Sequence, residues 1–219
     1  MLDELLTGLN GGSVPTLDLI FLMTMIALLP SLAVMITSFA RTIIILSFTR
    51  SAIGVQSTPP NMVLTGIALF LTLFIMSPVI EEINTQAYAP YIQGEIGPQE
   101  AVTRMVGPLK EFMIRNTQKD SLDMFVRMSD TEVRDNPKDY PLTVVIPAFM
   151  TSELKRGFMS GFLIYLPFLL IDIVVATTLM AMGMVMLPPS MVSLPFKLLL
   201  FVTVDGWGLL FSSIVAGFK

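Results

Sequence analysis

The chain has 219 residues, 53% of them apolar and only 14% charged, against about 25% charged in ordinary soluble domains. A net charge of −4 offers no basic stripe for a phosphate backbone and argues against a nucleic-acid partner. The absence of Cys and His removes disulfides, thiolate catalysis, imidazole acid–base chemistry and the usual metal ligands, so neither metal nor cofactor is expected.

The charges are clustered. Of 30 Asp, Glu, Lys and Arg residues, 18 lie between Glu81 and Asp139, as 11 acids and 7 bases. The flanks are nearly charge-free, which predicts an all-α, membrane-associated chain with two apolar helical hairpins around a charged, mostly helical centre. The expected segments are residues 1–80 with the first hairpin, 81–146 as an extracytoplasmic charged segment, and 147–219 as the second hairpin.

In chain order, Leu19 to Ala40 is the first uncharged stretch. As a helix it spans roughly 33 Å, enough for a hydrocarbon core of about 30 Å, with a kink at Pro30. No secretory leader is visible ahead of it, since Asp3 and Glu4 stand where a basic start is expected. The next helix is predicted from Asn61 to about Ile80, because Pro59-Pro60 cannot lie inside one. Arg41 and Arg50 then flank the connection and predict it to be cytoplasmic, with the acidic middle outside and the second hairpin's tip inside. Lys155 and Arg156 oppose that layout.

The middle segment alternates Pro and Gly breaks with short amphipathic runs: Met105, Leu109, Phe112 and Met113, then Leu122, Phe125, Val126 and Met128. Short helices with solvated charges are expected. The second apolar pair runs from Gly157 to Leu187 and from Ser190 to Phe218, separated by Pro188-Pro189. Gly157 and Gly161 form a Gly-x-x-x-Gly pair that would let another backbone approach closely.

No Gly-rich phosphate loop or nucleophile elbow is present, and Ser152 and Ser160 have no histidine to activate them, so an enzyme is not expected. More informative are Asp172, Lys197 and Asp205, since a charge in the centre of a membrane helix costs about 2.5–3.5 kcal/mol. Lys197 and Asp205 are about 12 Å apart along a helix and cannot pair within it. These charges, with Glu153 and Lys155 upstream, are expected to serve assembly contacts or an ion pathway. Met180, Met182, Met184 and Met186 alternate up to the proline pair, so one helix face cannot bury them all. Met184 and Met186 are placed on a loop at the hairpin tip, soft enough to seal an opening and yield to a passing chain.

Several long runs resemble the FliP family of flagellar type III export-gate subunits. They are Ser38-Phe-Ala-Arg-Thr-Ile-Ile-Ile45, Pro59-Pro-Asn61, Ala68-Leu-Phe-Leu-Thr72, Phe74-Ile-Met-Ser-Pro78 and Pro147-Ala-Phe-Met-Thr-Ser-Glu-Leu-Lys155. Further runs are Gly161-Phe, Pro167-Phe-Leu-Leu-Ile-Asp172, Gly183-Met-Val-Met-Leu-Pro-Pro189, Leu194-Pro-Phe-Lys197 and Asp205-Gly-Trp207. They occur in order over nearly the whole chain. The resemblance implies a non-enzymatic secretion channel in the bacterial cell membrane, at the flagellar basal body. Five such subunits would form a ring with FliQ and FliR, beside other export-apparatus membrane proteins and membrane lipid, and pass unfolded protein substrates. It also implies that Met184, Val185 and Met186 line the pore constriction; Val185 departs from the methionine common there. The family often carries a cleaved signal peptide, which is not seen in this sequence. An injectisome counterpart is the nearer alternative, and an ion-coupled transporter using Asp172, Lys197 and Asp205 the more distant one.

Overall fold

The computed structural model describes residues 16–55, 57–129, 136–184 and 186–218. Every described element is helical. The chain divides after Met35 into two units. The described part of the first is α1 (Thr16–Met35), a helix with Pro30 inside it whose side chains Ile20, Phe21, Met23 and Ile26 are exposed. Thr24 Oγ1 donates 2.8 Å back to the Ile20 carbonyl, so the hydroxyl needs no water.

The second unit begins with α2 (Phe39–Ile53). The expected single helix from Leu19 to Ala40 is therefore two elements, and the arginines assigned to a connection are helical. Arg41 is buried on the first turn of α2, whereas Arg50, in its last turn, donates 2.5 Å to Asn61 Oδ1 across the real connection. Gly54 closes α2 at φ 90°, where its N–H bonds the Ser51 carbonyl. Only a residue without Cβ takes that conformation freely.

α3 (Asn61–Ile83) starts at Asn61 as expected, with Pro60 just before its first turn, but continues through a π-helical stretch, Asn84–Tyr88, into α4 (Ala89–Ile92). The charged middle folds as α5 (Pro98–Asn116), with Pro98 at its start, and α6 (Lys119–Met128). Phe112, Met113 and Val126 turn inward from the two amphipathic runs and join Leu46, Leu64, Val144, Val145 and Phe149 in the main core. Phe112 lies edge-on to Phe149 at 5.9 Å and stacks on Phe218 at 6.1 Å.

α7 (Leu142–Ala181) has 40 residues, roughly 60 Å of helix or twice a hydrocarbon core. It begins fifteen residues before the apolar stretch expected from Gly157, and five before the expected segment boundary at 147. Glu153 and Pro147 instead sit inside the helix, their neighbours Ala148, Phe149 and Ser152 fully buried. In the most apolar window of α7 only 6% of residues are buried, so this part of the helix presents its side chains outward. α8 (Pro189–Thr203) and α9 (Gly206–Ala216) complete the chain, bent by 63° at Val204–Asp205, where one uninterrupted helix was expected. Among the described residues, two helical stretches, Asn61–Ile92 and Leu142–Ala181, are each long and apolar enough to cross a membrane, and α8 with α9 qualify as a broken pair.

Candidate functional site

α2 lies along α7, and the small residues of α7 set how closely. A Cβ on Gly157 would stand 3.2 Å from Ile44 Cβ, and one on Gly161 would stand 2.5 Å from Phe48 Cγ. Hydrogen at both positions lets α2 approach, and Phe48 then meets Phe158 edge-on at 5.6 Å. Within this interface Arg41 and Glu153 form a two-pronged ion pair. Arg41 Nε donates 3.0 Å to Glu153 Oε2, while Nη2 meets Oε1. Glu153 is fully buried, and Arg41 nearly so. Arg41 also donates from Nη1 to the Gly217 carbonyl at 3.0 Å and lies 3.7 Å over the Phe218 ring. One cation therefore ties α2, α7 and the end of the described chain together.

A second network joins α7 to α8. Lys197 Nζ donates 2.6 Å to Asp172 Oδ2, and Ser193 Oγ donates 2.6 Å to the other carboxylate oxygen. Ser193 and Lys197 are four residues apart and share one face of α8. Gly54 faces this site, since a Cβ there would stand 3.9 Å from Lys197 Nζ, so the end of α2 closes over the pair. Phe168 and Phe201 lie alongside with ring centres 6.4 Å apart. A carboxylate and an ammonium that would each be costly alone in an apolar segment are thus satisfied together.

Asp205 stands apart from that pair. It has φ 50°, a left-handed conformation that Asp tolerates better than most residues, and its carboxylate accepts from the Gly208 N–H at 3.4 Å to cap α9. A Cβ on Gly208 would strike that carboxylate, and one on Gly206 would strike the Phe201 ring. The sequence Asp-Gly-Trp-Gly thus makes the bend between α8 and α9. Lys155 is exposed on α7, two residues after Glu153, with no ion-pair partner among the described residues.

The tip of the second hairpin follows from how α7 ends. Gly183 takes φ 75°, its N–H bonds the Met180 carbonyl, and the Met184 N–H reaches back to the Leu179 carbonyl. These two bonds form a Schellman stop, which satisfies the last carbonyls of α7 and reverses the chain. Pro188 and Pro189 then start α8. Met184 is partly exposed and Met186 is 98% exposed; Val185 lies outside the described residues.

Sequence reasoning found Glu153, Asp172 and Lys197 as charges needing partners but missed the partners themselves. Arg41 had a visible signal, a lone cation inside the apolar run Phe-Ala-Arg-Thr-Ile. Ser193 had none, since a serine in an apolar helix ordinarily bonds its own backbone.

The sequence model of the FliP family matches residues 22–214. The chain is 48% identical over 203 residues to the flagellar biosynthetic protein FliP of Bacillus subtilis strain 168, covering 93% of this chain and 92% of that one. It is 47% identical over 211 residues to the protein of that name from Pectobacterium carotovorum, covering 95% and 82%. It is 44% identical over 219 residues to the one from Aquifex aeolicus, covering 99% and 91%. The match runs through α2 with Arg41, α7 with Glu153 and Asp172, and α8 with Lys197, and by it the chain belongs to the FliP family.

Proposed function

We propose that this membrane protein is a core subunit of the flagellar type III export gate, forming with FliQ and FliR the pore through which unfolded flagellar proteins leave the cytoplasm. The observation that carries the reading is relatedness at 44–48% identity over nearly the whole chain to proteins named flagellar biosynthetic protein FliP. The role is one of transport and assembly, without catalysis, and the setting is the bacterial cell membrane at the flagellar basal body.

The outward-facing apolar half of α7 supports a subunit that completes its burial against neighbours. Exposed Leu163, Leu170, Val174 and Met180 would be staves of a ring of five. In that ring the Met184-Val185-Met186 tip closes the pore. A methionine 98% exposed at position 186 is poorly accounted for by a core or a solvent-facing loop, and well by a soft seal. The paired Asp172 and Lys197 then hold the hairpin that carries the tip, and Gly157 and Gly161 seat α2 against its stem.

Two experiments test this. Expression in a motile bacterium lacking its own FliP should restore swimming; restored secretion only in an injectisome host would move the chain to that system. Native mass spectrometry of the chain purified with FliQ and FliR should give a multi-subunit ring, and a lone monomer or dimer would favour the transporter reading. In such a ring, Met184→Gly with Met186→Gly should make expressing cells leak small ions, and unchanged conductance would refute the seal.

A further inference from the structure

A groove of about 1180 Å³ opens between α7, the α5–α6 corner and the end of the chain, beside the Arg41–Glu153 pair. Arg115, Lys155 and Arg156 line it, and none has an ion-pair partner among the described residues, nor does any carboxylate line the groove. Its remaining wall includes Phe158, Met159 and Phe162, all more than half exposed.

The register of α7 gives the depth. From Gly157 to Ala181 the helix has 25 residues whose single charge, Asp172, is paired with Lys197. That is roughly 37 Å of helix, enough to cross a hydrocarbon core of about 30 Å. Lys155 and Arg156 immediately precede this stretch, so in a bilayer they would stand at headgroup level, with Phe158, Met159 and Phe162 following them into the apolar layer. A basic pocket that continues into an exposed apolar wall is complementary to an amphiphile with an anionic head. We propose that this groove binds an anionic phospholipid, its phosphate held by Arg115, Lys155 and Arg156 and its acyl chains laid along Phe158, Met159 and Phe162.

The dimensions and lining favour this occupant. Drug-sized ligands fill pockets of about 300–1,000 Å³, so a free phosphate would leave most of this one empty. An acidic protein segment would neutralise the cations but leave the aromatic wall against its polar backbone. The site also draws Arg115, from the charged middle of the chain, onto the stem of the second hairpin, so a bound lipid would brace the two segments.

The test is native mass spectrometry of the full-length chain purified in neutral detergent and incubated with cardiolipin, phosphatidylglycerol or phosphatidylcholine. Cardiolipin and phosphatidylglycerol should be retained and phosphatidylcholine lost, with inorganic phosphate at millimolar concentration failing to displace the lipid. Each cation near an anionic headgroup is worth about a fivefold change in affinity. Arg115→Gln should therefore weaken retention about fivefold, and adding Lys155→Gln and Arg156→Gln should bring the loss to about a hundredfold. The charge-preserving pair Lys155→Arg and Arg156→Lys should bind as the unaltered chain does, as should Lys110→Gln outside the groove, which controls for loss of any surface cation. Equal retention of phosphatidylcholine, displacement by phosphate, or a triple variant that binds as tightly as Lys110→Gln would overturn the proposal. A triple variant that keeps its lipid but loses self-association would assign the groove to a second copy and overturn it as well.

Discussion

The ion pair between Arg41 and Glu153 can be worked through to a number. Replacing Glu153 with Met removes both acceptors while keeping the side-chain volume, and leaves a guanidinium with only the Gly217 carbonyl and the Phe218 face for company. Arg41 is 5% exposed, so water cannot replace the carboxylate. Stranding one charge of a buried pair costs about 3–5 kcal/mol. At about 2–4 °C per kcal/mol for a chain of this size, the unfolding midpoint should fall by roughly 6–20 °C. Arg41→Met should do the same by stranding Glu153, and should also free the chain end that the arginine holds. The double variant should recover most of the loss, because two apolar side chains of similar volume replace the pair without an orphaned charge. Circular dichroism of the detergent-solubilised proteins, arranged as a double-mutant cycle, gives the coupling directly; with most of two such losses recovered, roughly 5 kcal/mol or more is expected. Additive single losses, or single variants within about 2 °C of the unaltered chain, would refute the reasoning.

Three further outcomes follow from the same geometry. Gly161→Ala should lose about 1–3 kcal/mol of stability, because its new methyl meets the stem of Phe48 rather than a movable end. Gly157→Ala should lose less, at 3.2 Å from Ile44, and equal thermal midpoints would contradict this. Asp172→Asn should destabilise more than Lys197→Met, since it strands an ammonium that is 5% exposed, whereas Lys197→Met leaves a carboxylate that is 28% exposed and still accepts from Ser193; urea unfolding of the two variants ranks them. On the exposed surface, a hydrogen bond and the charge of Lys138 hold the Glu111 carboxyl below its ordinary range. Its depressed folded-state value means the stabilisation is present above the unfolded value and disappears as pH falls through the folded one. Carbon-detected NMR should show Glu111 titrating higher in Lys138→Met than in the unaltered chain, and an unmoved titration would deny the contact.

The sequence by itself determined the class of this protein and much of its outline. Charge depletion outside 81–139 identified apolar helical flanks, because an isolated charge is too costly in a hydrocarbon layer to occur there by accident. Proline pairs fixed where α3 and α8 begin, since two adjacent prolines lack N–H donors and are tolerated best ahead of or within the first turn of a helix. The periodic runs in the middle gave α5 and α6, because amphipathic spacing is a local property. The placement of Met184 and Met186 between two helices was legible for the same reason.

Only the tertiary structure decided what the buried charges meet. Arg41 and Glu153 are 112 residues apart, and Asp172 and Lys197 are 25 apart, so no spacing rule connects them. Their pairing depends on α2 coming close enough to α7 to exclude water, which rests on two glycines meeting Ile44 and Phe48. Asp205, similar on paper to Asp172, became a helix cap because its backbone turns left-handed beside Gly206 and Gly208. The forty-residue length of α7 was likewise hidden, since the charges at 153–156 interrupt the apolar run. Packing overrode that reading: a buried partner for Glu153 makes helix through the charges cheaper than a break.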